Sequence, residues 1–278
     1  MSENALPPVL YFVHVPKCAG RTIESHLMRH LPQDALLRPD RAAPLRRYLT
    51  GRSWRAARPE QPERVRVVTG HFFGESIGRW LPRHQRHEAI LLRDPVGLFL
   101  SWYNFRMKRY ANKGLPLTPF EAWYARRERN PVARHLFTTY LGWNVPRFLT
   151  TDKRTLMENA IETLDRFWFV GAHRHADALV ARISEILPVP PKAEYRNRTD
   201  YRFRDRGSLD DGLVNRIAEE NDLDIALLER YANRGLDPAA ARPAHAPSSG
   251  TMAGAEVRRA ISLFNGPRDT QDGASRQC

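Results

Sequence analysis

Short apolar runs alternate with helical patterns along most of the chain. Four runs have the length and the β-branched or aromatic content of buried strands, at residues 9–13, 65–69, 89–92 and 167–171. Apolar residues at helical spacing follow most of these runs. Because strands that alternate with helices usually form parallel sheets, we expect a three-layer α/β fold with a central parallel sheet flanked by helices.

Helix start signals and apolar spacing place the helices. The pair Asp94-Pro95 is a strong start, since Asp94 can cap a helix and Pro95 fits its first position. Besides the helix that begins at Pro95, the predicted segments are 21–31, 118–129, 130–142, 152–165, 176–187 and 209–231.

The remaining stretches define the domain organisation. Residues 32–64 are rich in arginine and proline and have weak periodicity, which predicts an irregular insertion with a short helix around 45–49. Residues 236–278 shift to alanine, proline, serine and glycine, which predicts a disordered tail with a brief helix near 257–264. We therefore expect one domain over residues 1–235.

Composition narrows the class of protein. The 278 residues are 42% hydrophobic and 27% charged, as in soluble globular proteins. The two cysteines, Cys18 and Cys278, lie far apart, so neither a disulfide framework nor a metal-ligand spacing is indicated. The sequence has no signal-peptide pattern and no long apolar span, which favours a cytoplasmic protein without a transmembrane segment.

The formal net charge of +13 suits an anionic partner. A nucleotide, an acidic polysaccharide, an acidic membrane face or a nucleic acid would all fit, although the excess of arginine is also compatible with a solvated surface. The chain has no zinc-finger, RNA-recognition or basic-zipper signature, so no nucleic-acid partner is expected.

The stretch 9–22 carries the clearest chemical signal. Pro16 ends the first apolar run, Ala19 and Gly20 allow a ligand to approach the backbone, and Lys17 adds a positive charge between them. A strand, a small-residue loop and a helix N-terminus together bind phosphate, because free N–H groups and the helix dipole favour an anion.

The loop is not a Walker A motif or a dinucleotide fingerprint. Counting back from Gly20, Val15 stands where a Walker A loop has its first glycine, and Arg21 stands where it has its lysine. No Gly-x-Gly-x-x-Gly follows the strand. These departures disfavour an ordinary P-loop kinase and a Rossmann dehydrogenase.

Residues 16–22, PKCAGRT, resemble the 5′-phosphosulfate loop of sulfotransferases, which is usually written PKTGGTS. Those enzymes use 3′-phosphoadenosine 5′-phosphosulfate (PAPS). The resemblance implies a P-loop-like α/β fold, with Lys17 on the phosphosulfate and its bridging oxygen. The remaining loop residues would hold the 5′-phosphate: Cys18, Ala19, Gly20, Arg21 and Thr22. Cys18 and Arg21 depart from the family's threonines.

A second stretch resembles the family's 3′-phosphate motif, Arg-Asp-Pro-x-x-Arg-x-x-Ser. Arg93 leaves a predicted strand and Ser101 follows at the same eight-residue separation, two turns into the next helix. A guanidinium and a hydroxyl so placed can grip one phosphate. Gly97 and Leu98 stand where the family often has Glu-Arg, so one arginine is lost.

His71 is the candidate general base. It follows the strand at 65–69, where ligands bind in α/β sheets, and histidine titrates near neutral pH. Uronyl 2-O-sulfotransferases carry a Gly-His at the corresponding place and use that histidine as the base. Glu75 is the alternative, since other branches of the family use glutamate.

A basic and aromatic stretch near residue 198 resembles the late loop that closes over the nucleotide in the family. Arg198 and Thr199 are its candidate contacts, with Arg196 as an alternate. The resemblance, closest to the carbohydrate 2-O-sulfotransferase branch, implies transfer from PAPS to a hydroxyl acceptor such as an anionic saccharide, without a metal. A nucleotide kinase with a divergent loop and a non-enzymatic binder of anionic polymers or nucleic acid are the alternatives.

Overall fold

A five-stranded parallel sheet lies at the centre of the computed structural model, which describes residues 6–39, 58–193 and 203–237. The strand order is β2-β3-β1-β4-β5 and every pairing is parallel. With helices flanking the sheet, the predicted three-layer α/β fold is confirmed. The strands are β1 (Pro8–Val13), β2 (Leu36–Leu37), β3 (Val67–Gly70), β4 (Gln85–Leu92) and β5 (Phe169–Ala172).

Helices fill most of the remaining described chain. A π-helical turn, Leu136–Tyr140, continues α4. The α-helices are α1 (Gly20–His30), α2 (Pro95–Ala111), α3 (Phe120–Ala125), α4 (Pro131–His135), α5 (Val145–Thr150), α6 (Lys153–Asp165), α7 (Ala176–Ser184), α8 (Asp211–Glu220) and α9 (Asp222–Tyr231). The 3₁₀ turns are Gln33–Ala35, Pro62–Arg64, Glu75–Trp80, His173–His175, Arg206–Ser208 and Arg234–Leu236. Within the described ranges, no helix has both the length and the apolar character needed to cross a bilayer.

Burial on both faces explains the unbroken apolar character of β1. Residues 9–13 are all at most 2% exposed, and β1 has a neighbour on each side, β3 and β4. A strand that is covered on both faces cannot alternate apolar with polar residues. The central position also brings the loop after β1 between the ends of β3 and β4.

The strand predictions hold with changed limits. The strand predicted at 89–92 begins at Gln85, and the one predicted at 167–171 lies at Phe169–Ala172. The stretch 32–64 is not wholly irregular, because it contains β2, which pairs with β3 through Leu36↔Val67 and Leu37↔Val68. A strand as short as β2, with two residues, is too short to show the alternation of apolar and polar positions that predicts a strand. The helix predicted at 45–49 and the tail from 238 onward lie outside the described residues.

Two helix predictions need correction. The segment 118–129 is helical only over Phe120–Ala125. The single helix predicted at 209–231 is two helices, α8 and α9, which meet at Asn221. The Asn221 side chain donates to the carbonyl of Ile217 at 2.7 Å and accepts the N–H of Asn130 at 2.7 Å. These side-chain hydrogen bonds stabilise the junction between the two helices.

The strand order creates a crevice at the carboxyl edge of the sheet. From β1 the chain passes first to β2 and β3 on one side, then to β4 and β5 on the other. Ligands of open α/β sheets bind where the direction of winding reverses in this way. The loops that follow β1, β3 and β4 carry Lys17, His71 and Arg93 to this edge.

Candidate active site at the carboxyl edge of the sheet

The loop between β1 and α1, residues 14–19, has an unusual backbone. Lys17 and Ala19 have positive φ angles of 68° and 61°, a conformation that residues with side chains seldom adopt. The Cys18 N–H donates to the Val15 carbonyl at 3.3 Å, which tightens the turn. Left-handed residues of this kind are typically retained where a loop must present its backbone to a ligand.

Gly20 is required by the packing of His14. A Cβ at Gly20 would lie 1.9 Å from Cδ2 and 2.1 Å from Nε2 of the His14 ring, far inside van der Waals contact. The imidazole therefore lies directly against the first residue of α1. The resemblance had given Gly20 a phosphate role only; its packing role depends on His14, which the sequence did not single out.

The N-terminus of α1 has the character of an anion site. Its N-cap residue, Ala19, makes no side-chain capping bond, and the first turn of α1 contains no acidic residue. Thr22 is buried and its N–H donates to the Ala19 carbonyl at 3.0 Å, whereas the Arg21 side chain is exposed. A bound anion would satisfy the N–H groups that a cap otherwise satisfies.

Positive charge is concentrated at Lys17. Its ammonium lies 4.4 Å from the centre of the Phe105 ring on α2. Burial, followed by the charges of Arg93 and Arg21, lowers the pKa of Lys17 to about 8. Neighbouring cations repel one another, and a bound phosphate or sulfate would offset this repulsion.

Arg93 joins the second motif to the first. It follows β4, and its Nη1 donates to the main-chain oxygen of Lys17 at 2.8 Å. Ser101 lies one helical turn before Phe105 on α2, and residues at that spacing share a helix face. Because the Lys17 ammonium lies on the Phe105 ring, Ser101 is placed on the face of α2 that meets Lys17. Asp94 caps α2 as predicted, accepting the Gly97 N–H at 2.8 Å.

The Cys18 side chain packs in the core below the surface of the loop. It is only 1% exposed, and burial raises the pKa of its thiol to about 12. The side chain is therefore an uncharged part of the core. Of the residues that the resemblance assigned to the nucleotide, Arg198 and Thr199 lie outside the described residues, as does Arg196.

His71 follows β3, is half-buried, and has a defined orientation. Its Nδ1 lies 2.9 Å from the main-chain oxygen of His14. Because a carbonyl oxygen only accepts hydrogen bonds, Nδ1 is the donor, and the neutral ring carries its lone pair on Nε2. This is the tautomer that a general base needs when Nε2 receives the proton.

His14 and Glu24 lie next to His71. The His14 and His71 ring centres are 4.0 Å apart, and Nδ1 of His14 lies 3.0 Å from Oε1 of Glu24. The same oxygen accepts a hydrogen bond from the Thr69 hydroxyl at 3.2 Å. The sequence did contain a signal for Glu24, because it lies four residues after Gly20 and so on the same face of α1.

Glu75, the alternative base, is occupied elsewhere. Its carboxylate forms an ion pair with Arg166 at 2.6 Å, and its main-chain oxygen accepts a bond from Arg86 at 3.0 Å. This pairing gives Glu75 a structural role, so of the two residues that the sequence offers as a base, Glu75 is the one held in an ion pair.

Further histidines approach the same edge. His135 of α4 is buried, and burial followed by the nearness of His71 and His14 lowers its pKa to about 3. His173 follows β5, and burial followed by the Arg93 charge lowers its pKa to about 4. Both are neutral at physiological pH. In the part of the chain that the structure describes, no three His, Cys, Asp or Glu side chains are grouped so that they could hold a metal ion.

No protein-family model, curated protein or solved structure matches this chain.

Proposed function

We propose that the chain is a PAPS-dependent sulfotransferase that moves a sulfuryl group to a hydroxyl of a carbohydrate or glycoconjugate. The observation that carries the proposal is the 2.8 Å hydrogen bond from Arg93 to the main chain of Lys17. It joins two motifs that lie far apart in sequence, each of which resembles one of the two phosphate sites that a 3′,5′-bisphosphate nucleotide requires.

The donor nucleotide fits the charge and shape of the crevice. The uncapped N-terminus of α1 and Lys17 are suited to the 5′-phosphosulfate. Arg93 and Ser101 are suited to the 3′-phosphate, since a guanidinium and a hydroxyl donate to the same group from two elements. Arg21 is exposed beside the loop and adds to the positive potential.

His71 takes the proton of the acceptor hydroxyl on Nε2. The acceptor oxygen forms a bond to sulfur while the bond from sulfur to the bridging oxygen of the donor breaks. Lys17 and the amides at the start of α1 stabilise the negative charge that develops on the leaving bisphosphate, where preorganised electrostatics contribute most to catalysis. The proton on His71 passes to solvent after the products leave.

Two other functions predict different ligands. A nucleotide kinase with a divergent loop would bind ATP with magnesium and transfer a phosphoryl group. A non-enzymatic binder of anionic polymers would use the arginine-rich surface, would depend steeply on salt and would not need Lys17.

Transfer of labelled sulfate tests the proposal. The protein is incubated with sulfur-labelled PAPS and a mixture of polysaccharides and simple glycosides. Lys17→Ala is expected to lower the rate by about 100-fold or more, as loss of other transition-state donors does. Arg154→Ala is the control, because that arginine is 87% exposed and forms an ion pair with Glu158 on its own helix. Equal rates in the two variants would contradict the assignment, and phosphoryl transfer from ATP would support the kinase.

A further inference from the structure

Three elements meet beside His71. The loop after β1 contributes His14, α1 contributes Glu24, and the end of β3 contributes Thr69. Thr69 is paired with Phe12 in the register of β1 and β3, and His14 follows two residues after Phe12, so the two side chains emerge on the same face of the sheet. Glu24 reaches both of them from the helix that covers that face.

The main chain holds the His71 ring in one orientation. The carbonyl that accepts from Nδ1 belongs to His14, whose own ring is fixed between Gly20 and His71. Because a carbonyl cannot donate, the bond requires the proton on Nδ1. Rotation of the imidazole by half a turn would break this bond and would turn Nε2 away from its present direction. The contact therefore selects both an orientation and a tautomer.

Glu24 supplies a buried negative charge beside the two rings. Its side chain is 13% exposed. Burial alone would raise the pKa of Glu24, but the His14 contact, the charges of His14 and His71 and the Thr69 hydroxyl outweigh burial and lower it. The carboxylate is therefore ionised at neutral pH.

Within the described ranges, three titratable side chains interact with the His71 ring: His14 from the loop, Glu24 from α1 and His135 from α4. Glu24 is the acidic one of the three, and His135 is held neutral by its surroundings. A buried negative charge that interacts with an imidazole favours its protonated form, and Glu24 interacts with His71 in this way. The Glu24 charge therefore stabilises His71 once the His71 ring has accepted a proton.

We propose that His14 and Glu24 are positioning residues for His71. The His14 carbonyl holds the ring with Nε2 toward the reacting hydroxyl, and the Glu24 carboxylate stabilises the imidazolium that forms when the O–H bond of the acceptor breaks. The identity of that acceptor rests on the proposed function; the tautomer and the charge coupling do not.

Nuclear magnetic resonance of the imidazole nitrogens in the full chain, without substrate, tests the coupling. His71 signals are assigned from their loss in His71→Gln. We expect the Nδ1-protonated tautomer in the unaltered protein. In Glu24→Gln we expect the pKa of His71 to fall by about one pH unit, because the nearby opposite charge is gone. Glu24→Asp keeps the charge and is expected to restore most of the pKa.

Glu220→Gln is the matched control, since this carboxylate is also partly buried and paired, with Arg129 at 2.8 Å. An Nε2-protonated tautomer in the unaltered protein would overturn the orienting role of His14. A His71 pKa that is the same in Glu24→Gln and Glu220→Gln would overturn the role of Glu24. If Glu24→Gln does not fold, the reciprocal measurement decides the charge coupling. Loss of the His71 charge in His71→Gln is expected to raise the pKa of Glu24, and a Glu24 pKa that stays unchanged would overturn the role of Glu24. The tautomer is read from the unaltered protein.

Activity separates this inference from the proposed function. With PAPS and an acceptor, Glu24→Gln is expected to lower kcat about tenfold, the rate equivalent of one pH unit in pKa, while affinity for the product bisphosphate is unchanged. The expected tautomer and pKa change without any sulfuryl transfer would contradict the proposed function and leave the positioning pair standing. Sulfuryl transfer without the change in the His71 pKa would support the proposed function and contradict the role of Glu24.

Discussion

Burial and charge oppose each other at Lys17. The residue sits in a left-handed turn with its ammonium on Phe105 and two arginines nearby, and burial is the first reason that its pKa falls to about 8. Burial and the two arginines both disfavour the Lys17 cation, and a bound anion would favour it. Its position in the loop was evident from the sequence, but the depressed pKa follows from the folded surroundings.

Affinity for the bisphosphate should therefore depend on pH. Lys17 is a cation below about pH 8 and is neutral above it. A bound phosphate favours the cation, so affinity should hold up to about pH 7.5 and then fall by about tenfold for each further pH unit. Calorimetric titration from pH 6.5 to 9.5 measures this. In Lys17→Arg the charge persists, and an equal decline in that variant would show that another group is responsible.

The role of His14 could not be predicted from the sequence. It lies in the same segment as the recognised loop, yet its importance comes from contacts with Gly20, His71 and Glu24. Those residues meet only after β1, β3 and α1 have packed. The His71 position was predictable from the end of its strand, whereas its tautomer required the His14 carbonyl.

The junction of α8 and α9 shows how elements far from the loop support the site. Asn221 and Asp224 are both buried, and Asp224 accepts the N–H groups of Val132 at 2.9 Å and Ala133 at 2.8 Å. It therefore caps α4, whose last residue, His135, faces the His14 and His71 rings. The apolar periodicity predicted a continuous helix because the pattern carries no information about such long-range caps.

Removing this cap should destabilise the protein. Asp224→Ala leaves two buried N–H groups without their acceptor, and each is expected to cost about 1–3 kcal/mol of the free energy of unfolding. Asp222→Ala is the control on the same helix, since its pair with the exposed Lys153 is worth about 1 kcal/mol or less. Denaturant unfolding compares them, and equal losses would contradict the capping role.

At the scale of the whole molecule, the strand order explains why motifs distant in sequence meet. The apolar runs predicted four of the five strands, and alternation with helices predicted a parallel sheet. The order β2-β3-β1-β4-β5 could not be predicted, because β2 has only two residues and lies within a stretch with weak periodicity. That order places the ends of β1, β3 and β4 side by side, which is the arrangement that the two motifs require.

Binding of 3′-phosphoadenosine 5′-phosphate is the most direct test of the account, because it requires both motifs to act on one ligand. Calorimetry on the full chain would compare this bisphosphate with ATP plus magnesium, in the unaltered protein, in Arg93→Ala and in Arg154→Ala. We predict that the bisphosphate binds and that Arg93→Ala alone weakens it by about 10–100-fold, the loss of charged hydrogen bonds. No binding of the bisphosphate, or binding that Arg93→Ala leaves unchanged, would contradict the central claim.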